Sequence, residues 1–194
     1  MAEPISAIVA TVVKEAGKEV AKLKEALESG IQESPVQELL RIIEGNSLEA
    51  LEIRNIETVN SHLEGKLHPE TGVPFVRRVV EDFKGEFLSG VFPDFKEHTI
   101  FKLDLPERLY TERDKVQFNY CNEKLREAFS AGEIDTTSLT EKQIEQIKNG
   151  DKPEGFTWHH NEVKGRMELV KTDIHLRTGH TGGREIWGGG RVHR

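Results

Sequence analysis

Four histidines, His159, His160, His175 and His180, fall within twenty-two residues of one another. Three neutral imidazoles facing one point make a good site for a borderline divalent ion, with coordination positions left open for water and phosphate. His159 and His160 are adjacent, and neighbouring strand residues point to opposite sides, so both cannot easily bind one ion. One can bind while the other faces the substrate side and takes a proton from water, a role that suits a side chain titrating near neutrality. The chemistry open to such a site is hydrolysis by an activated water. Arg166, Arg177 and Arg184 lie near in sequence, and guanidinium geometry suits contact with phosphates or the transition state.

The elements that must position these groups are legible nearby. Thr157–His160 and Met167–Val170 have the composition of two short strands, with the polar Asn161–Gly165 stretch as their hairpin loop. Thr172 or Asp173 is placed to cap a short helix bearing His175 and leading to His180. A hairpin followed by a helix brings the ends of both together.

Upstream, Ile5, Ile8, Val12, Ala16, Val20, Leu23, Leu27 and Ile31 recur at helical steps, an apolar stripe that packs against a partner helix. A second helix starts at Ser34 with Pro35 and Gln37 and stops at Gly45-Asn46. A third amphipathic piece runs from about Leu48 to Val59. The turn-rich His68–Pro74 stretch follows, then strand-like Phe75–Val80 and Thr99–Leu105, with Gly90-Val91-Phe92-Pro93 expected to turn the chain between them. The spacing predicts a helix from Arg113 to Phe129 burying Phe118, Cys121, Leu125 and Ala128. Thr140 and Gln143 form a capping-box signature for a short helix ending at Asn149-Gly150. The expected architecture is α+β: a helical N-terminal region over 1–58 and a mixed domain over 59–194.

Composition suits a soluble globular protein, with 36% hydrophobic and 31% charged residues. The net charge of −7 is unevenly spread: residues 151–194 hold eight basic and six acidic residues and five of the eight histidines. Basic character therefore gathers where a phosphate backbone would need it. The single cysteine, Cys121, excludes an internal disulfide framework and any cysteine-based zinc site, and its helical spacing makes it a core residue. The apolar run Ile5–Val13 is far short of the roughly 20 residues that span a bilayer. Lysines follow that run and no small-residue cleavage site ends it, so it is not read as a signal peptide.

The pattern Trp158-His159-His160, Leu169-Val170, His175, His180 and Gly182-Gly183 resembles the WHH subgroup of the HNH/endonuclease VII nuclease superfamily, mostly C-terminal toxin modules of bacterial polymorphic toxins. His68-Pro69-Glu70-Thr71-Gly72-Val73-Pro74-Phe75 and Gln117-Phe118-Asn119-Tyr120-Cys121-Asn122 share in that resemblance, which covers roughly residues 60–194. It implies a ββα-metal finger over about 155–183, with His159, His175 and His180 as metal ligands and His160 as general base. Arg166 and Arg177 join the catalytic set, and Arg184, Lys164 and Lys171 are expected DNA contacts. Four residues separate His175 from His180 where related toxins commonly have three, so Asp173 stands as a substitute ligand. Where many HNH enzymes carry a base-orienting asparagine, Gly165-Arg166 occupies the neighbourhood.

The resemblance further implies one divalent ion (Zn, Ni, Mg or Mn), a DNA substrate and a cognate immunity protein. It also implies synthesis in the bacterial cytoplasm, no membrane insertion and delivery to a target cell by a secretion system. An RNase on the same site is the rival enzyme, and a zinc-stabilised interaction module the non-enzymatic rival. Among the remaining residues, Trp158 is expected to anchor the strand behind the histidines, and Trp187 either packs on the domain or lies along nucleic acid. His68 is a turn or packing residue, and His62, His98 and His193 are expected at the surface. Gly182-Gly183 lets the backbone turn closely around the site, and Gly188-Gly189-Gly190 begins a basic tail.

Overall fold

β-branched and aromatic runs separated by Gly, Asp and Pro give two small sheets in the computed structural model, which describes residues 53–190. The helices expected over residues 5–45, and the tail Arg191–Arg194 with His193, lie outside the described residues. Strands β1 (Ile53–Asn55), β2 (Phe75–Glu81) and β3 (Phe87–Pro93) form the first sheet in the order β1-β3-β2. β1 runs parallel to β3, and β2 antiparallel to it. The stretch from Leu48 to Val59, expected as one amphipathic piece, thus holds a strand at its centre, ahead of the boundary placed at residue 58.

The expected turn at Gly90–Pro93 is corrected: these residues are the second half of β3. Gly90 sits there because a Cβ would lie 2.8 Å from the Phe92 ring and 3.0 Å from Thr58 Cγ2. The actual turn is Asp82–Glu86. Asp82 Oδ1 accepts from the backbone N–H groups of Lys84 (2.7 Å) and Glu86 (2.9 Å), and Gly85 takes φ 85°. That local geometry is the signature of an Asx turn.

Helix α1 (Asp114–Ser130) and the short α2 (Glu141–Lys148) follow strand β4 (Thr99–Asp104). α2 starts on the capping box that Thr140 and Gln143 promise, with both reciprocal hydrogen bonds made. On α1 the buried stripe is Gln117, Cys121, Leu125 and Ala128; Phe118 is only half-buried. The second sheet, β4-β6-β5, is antiparallel throughout and contains β5 (Phe156–His160) and β6 (Arg166–Lys171). Two short helices close the chain, α3 (Thr172–Arg177) and α4 (Gly183–Ile186).

The main core joins both sheets to α1. Val80, Leu88 and Phe92 meet Trp158, Met167 and Leu169, with Cys121, Leu125 and Ile147 beneath and Trp187 at one side. Side chains of this kind contribute about 1.5–3 kcal/mol each when fully buried. Burial pushes the Cys121 thiol up to about 12, which makes it inert. Trp187 is wholly buried and its indole N–H donates to the Asn161 carbonyl at 2.8 Å, so it packs on the domain and does not lie along a ligand. Among the described residues no helix is long and apolar enough to cross a membrane.

Candidate metal centre

The hairpin β5–β6 pairs His159 with Glu168 and His160 with Met167. Its loop is closed by Asn161, whose N–H donates to Arg166 O at 3.0 Å and whose Oδ1 accepts from Val163 N at 2.9 Å. Gly165 turns the chain back with φ 78°, and a Cβ there would lie 2.6 Å from Tyr110. Glu162, its side chain 1% exposed, is tied to Arg78 of β2 at 2.5 Å and anchors the loop to the first sheet. α3 then begins directly after β6. Neither Thr172 nor Asp173 caps it: the N-cap is Lys171, without a side-chain bond.

α3 carries His175, but it ends at Arg177, so His180 lies in the loop beyond. That loop is pinned from a distant segment. Asn60 Nδ2 donates to Gly179 O at 2.7 Å, Val59 N donates to Thr181 Oγ1 at 3.0 Å, and the Thr71 and Thr178 hydroxyls share a 2.7 Å bond. His180 Nδ1 stands 2.7 Å from Thr178 O, a carbonyl that can only accept, so this nitrogen carries the proton and Nε2 presents its lone pair.

Three imidazoles meet at His159. His175 Nε2 lies 3.2 Å and His180 Nε2 3.3 Å from His159 Nδ1. One ligand nitrogen from each residue can be chosen so that all lie within 4.8 Å of one another. Nitrogens bound tetrahedrally at ~2.0–2.1 Å sit about 3.3 Å apart, so the two short spacings are those of a shared cation. The outer nitrogens, His159 Nε2 and His175 Nδ1, are buried with no hydrogen-bond partner. Buried polar atoms of this kind cost stability, and the fit to a cation rests instead on the spacing of the inner nitrogens. The residues present fit a bound metal.

Burial first, and then the neighbouring His180, His175 and His160, hold the His159 imidazole well below its ordinary value. Burial and then His180 push His175 down to about 4. Burial also lowers His180, against the opposing pull of the Thr178 carbonyl. All three are therefore neutral near pH 7, the form that ligates metal. Phe95, 1% exposed, touches every ring, with centroid separations of 5.0, 5.6 and 5.2 Å to His159, His175 and His180. It forms the apolar wall of the site.

His160 points to the other face of the strand, as alternation requires. On that face it is 8% exposed, with Phe118 and Trp187 against its ring. Its Nε2 lies 2.7 Å from Gln117 Oε1 and 3.9 Å from Asp114 Oδ1. The surroundings are polar as well as enclosed, because Arg184 donates to Gln117 Oε1 at 3.1 Å and stands 3.4 Å from Asp114.

Of the expected phosphate contacts, Arg184 is corrected: it is 4% exposed and bonds inward to Glu112 O and Gln117. Arg166 pairs with Asp104, Lys164 with Glu81 and Arg177 with Asp173, while Lys171 is exposed on the strand end. Asp173 faces outward to Arg177 and not into the triad, so His180 holds the position for which it was the alternative. Trp158 is buried, its N–H donating to Asn122 Oδ1 at 2.8 Å. His68 Nδ1 accepts from the backbone of Glu70 and Thr71 and serves its turn. His62 is exposed and His98 half-buried. Gly183 is required by close approach, since a Cβ would fall 2.0 Å from Asn161 O. Gly188, expected in a tail, is buried against Arg184.

Sequence reasoning missed Phe95, Gln117 and the Thr71–Thr178 bond. Only Gln117 left a signal, as a polar residue on the stripe shared with Cys121 and Leu125.

The family described as the DNase/tRNase domain of colicin-like bacteriocin matches residues 84–182, half of the 194-residue chain, a span that includes all four clustered histidines. No curated protein and no solved structure matches the chain.

Proposed function

The chain belongs to the family of DNase/tRNase domains of colicin-like bacteriocins, and on that footing we propose that it is a metal-dependent endonuclease hydrolysing DNA phosphodiester bonds, the toxin module of an interbacterial toxin–immunity system. The reading is of the HNH type, WHH subgroup, with β5, β6 and α3 as the ββα-metal finger. The nuclease domain then includes β1 and starts near residue 53. The observation that carries the reading is the meeting of three imidazole nitrogens at His159.

His159, His175 and His180 would hold the ion, and an all-imidazole donor set favours zinc or nickel over magnesium. When bound, the ion supplies Lewis-acid stabilisation of charge on the phosphate and the leaving oxygen. His160 takes the proton of the attacking water, and Phe95 keeps the ligand rings in place and dry. Lys171, Arg177, Arg166 and Lys164 are the cations available to phosphates, the last three after exchanging their present carboxylate partners. With water as nucleophile no 2′-hydroxyl is needed, so DNA is an admissible substrate for this site. An immunity partner and delivery by a secretion system belong to the same proposal.

A plasmid-nicking assay with added zinc, nickel, magnesium or manganese tests the reading. Cleavage is expected in wild type, lost in His175→Ala with the metal, and lost in His160→Ala with fold and metal retained. Cleavage of tRNA alone moves the substrate to RNA. No cleavage of either polymer with zinc tightly bound ends the enzymatic reading.

A further inference from the structure

On the face of the second sheet that bears His159 lies a cavity of about 480 Å3, which the proposed chemistry does not use. Lys102 of β4 stands opposite Glu168 of β6, and Glu168 opposite His159 of β5. Residues opposite one another point to one face, so Lys102 and His159 share it at two strand spacings, roughly 10 Å apart. Lys96 lines the same cavity and follows Phe95, whose ring touches all three imidazoles of the triad. Both lysines are exposed, and among the described residues neither makes an ion pair. Arg78 and Arg166 also line the cavity, but each already holds a carboxylate, Asp94 at 3.2 Å and Asp104 at 3.1 Å. The apolar part of the lining is Ile100, Phe101 and Ile134. A bulge between Thr99 and Phe101 takes Ile100 out of the β4–β6 ladder, the device by which a strand re-aims a side chain.

We propose that this cavity is a subsite for one unpaired nucleotide of the bound strand, next to the phosphate held at the metal centre. Lys96 and Lys102 take its phosphate, two compact cations with no partner to surrender first. Ile100, Phe101 and Ile134 lie against the face of its base, a contact that tolerates any base. Glu133, an exposed carboxylate of the lining, accepts from an exocyclic amino group such as that of cytosine. A base stacked and paired within a duplex cannot enter, so the strand must be open at that position. The volume is that of a small-ligand site, roughly 300–1,000 Å3, and exceeds what a lone anion needs. The proposal rests on the reading of the triad as a nuclease centre, which locates the neighbouring phosphate.

The test is binding of a fluorescein-labelled oligodeoxycytidylate to the full chain in chelator, over a series of salt concentrations. Each lysine–phosphate contact contributes about 0.7 to the slope of log K against log salt for a single strand. Lys96→Gln combined with Lys102→Gln is therefore expected to lower the slope by about 1.4. Ile134→Ala should weaken binding by roughly three- to tenfold with the slope unchanged. No binding by wild type, or an unaltered slope in the double lysine variant, overturns the proposal. Both lysines are exposed, so that arm decides the matter even if Ile134→Ala fails to fold. An Ile134→Ala protein that folds and binds like wild type also overturns it, and leaves only a patch for anions. Absence of plasmid cleavage with added metal refutes the nuclease reading instead, and the binding measurements in chelator stand apart from it.

Discussion

Acidifying the metal-free protein should cost it stability through the histidine triad, and the size of that cost can be worked for His175. Its imidazole has an ordinary value of 6.5 and is pushed down to about 4 in the folded chain, by burial and then by His180. Below pH 6.5 the unfolded chain takes up a proton there and the folded chain does not, so stability falls as pH falls. The loss begins near 6.5, grows through the interval and is complete below about 4. At ~1.4 kcal/mol per pH unit the interval amounts to about 3 kcal/mol. His159 and His180 are displaced in the same direction and add to it.

The measurement is urea denaturation in chelator at pH 7.5 and pH 4.5, for wild type and His175→Gln. Protonation of carboxylates is common to both proteins and cancels in the comparison. Wild type should lose about 2–3 kcal/mol more than the variant between the two pH values. Equal losses in the two proteins would refute the claim that the folded triad excludes protons at this position. Bound metal holds the rings neutral in the folded state, so the folded protein should keep its ion well below pH 6.5, where isolated histidines would release theirs.

Removing the shared wall of the triad, Phe95→Ala, should weaken metal binding by roughly ten- to a hundred-fold and cost about 3–5 kcal/mol of stability; competition with a coloured chelator and denaturation read the two effects separately. Gly183→Ala must move either the Asn161 carbonyl or the Trp187 indole, 2.0 and 2.3 Å from the added carbon, and thermal denaturation should show a loss of about 1–3 kcal/mol or more. Arg184→Met should destabilise the fold by about 1–3 kcal/mol, because buried Gln117 Oε1 loses a donor while half-buried Asp114 can turn to water, yet leave the salt dependence of DNA binding unchanged. Lys171→Ala should do the reverse, lowering the salt slope by about 0.9 at little cost to stability.

What was legible in the sequence is what local chemistry decides. The hairpin around His159 and His160 announces itself by β-forming residues on either side of a polar loop, and α2 by a capping box that needs nothing beyond Thr140 and Gln143. Strand alternation separated the two histidines correctly. It could not say what packs on the second face, which Phe118 and Trp187 supply from elsewhere, so the enclosure of the His160 ring was not legible. Gly90 and Pro93 carry the residue types of a turn, but Gly90 is there to admit the Phe92 ring and Thr58. Arg184 looked like a surface cation because charge says nothing about the carbonyl and amide that wait for it inside.

The finger by itself does not make the site. Residues 155–183 contribute the four histidines, but the wall at Phe95, the Gln117 side chain beside His160 and the Asn60 and Thr71 contacts that hold the His180 loop all come from before residue 118. A hairpin and a six-residue helix leave most of their apolar surface exposed when isolated, too little core to stand alone without a metal. Strand β5 is the common wall of two compartments, one apolar and proton-excluding around three rings, one polar and hydrogen-bonded around the fourth. On the proposed reading, adjacent histidines serve opposite ends of one reaction because the rest of the domain builds those two environments back to back. That division is why a substitution at Phe95, which touches all three rings of the triad, is expected to act on metal affinity first.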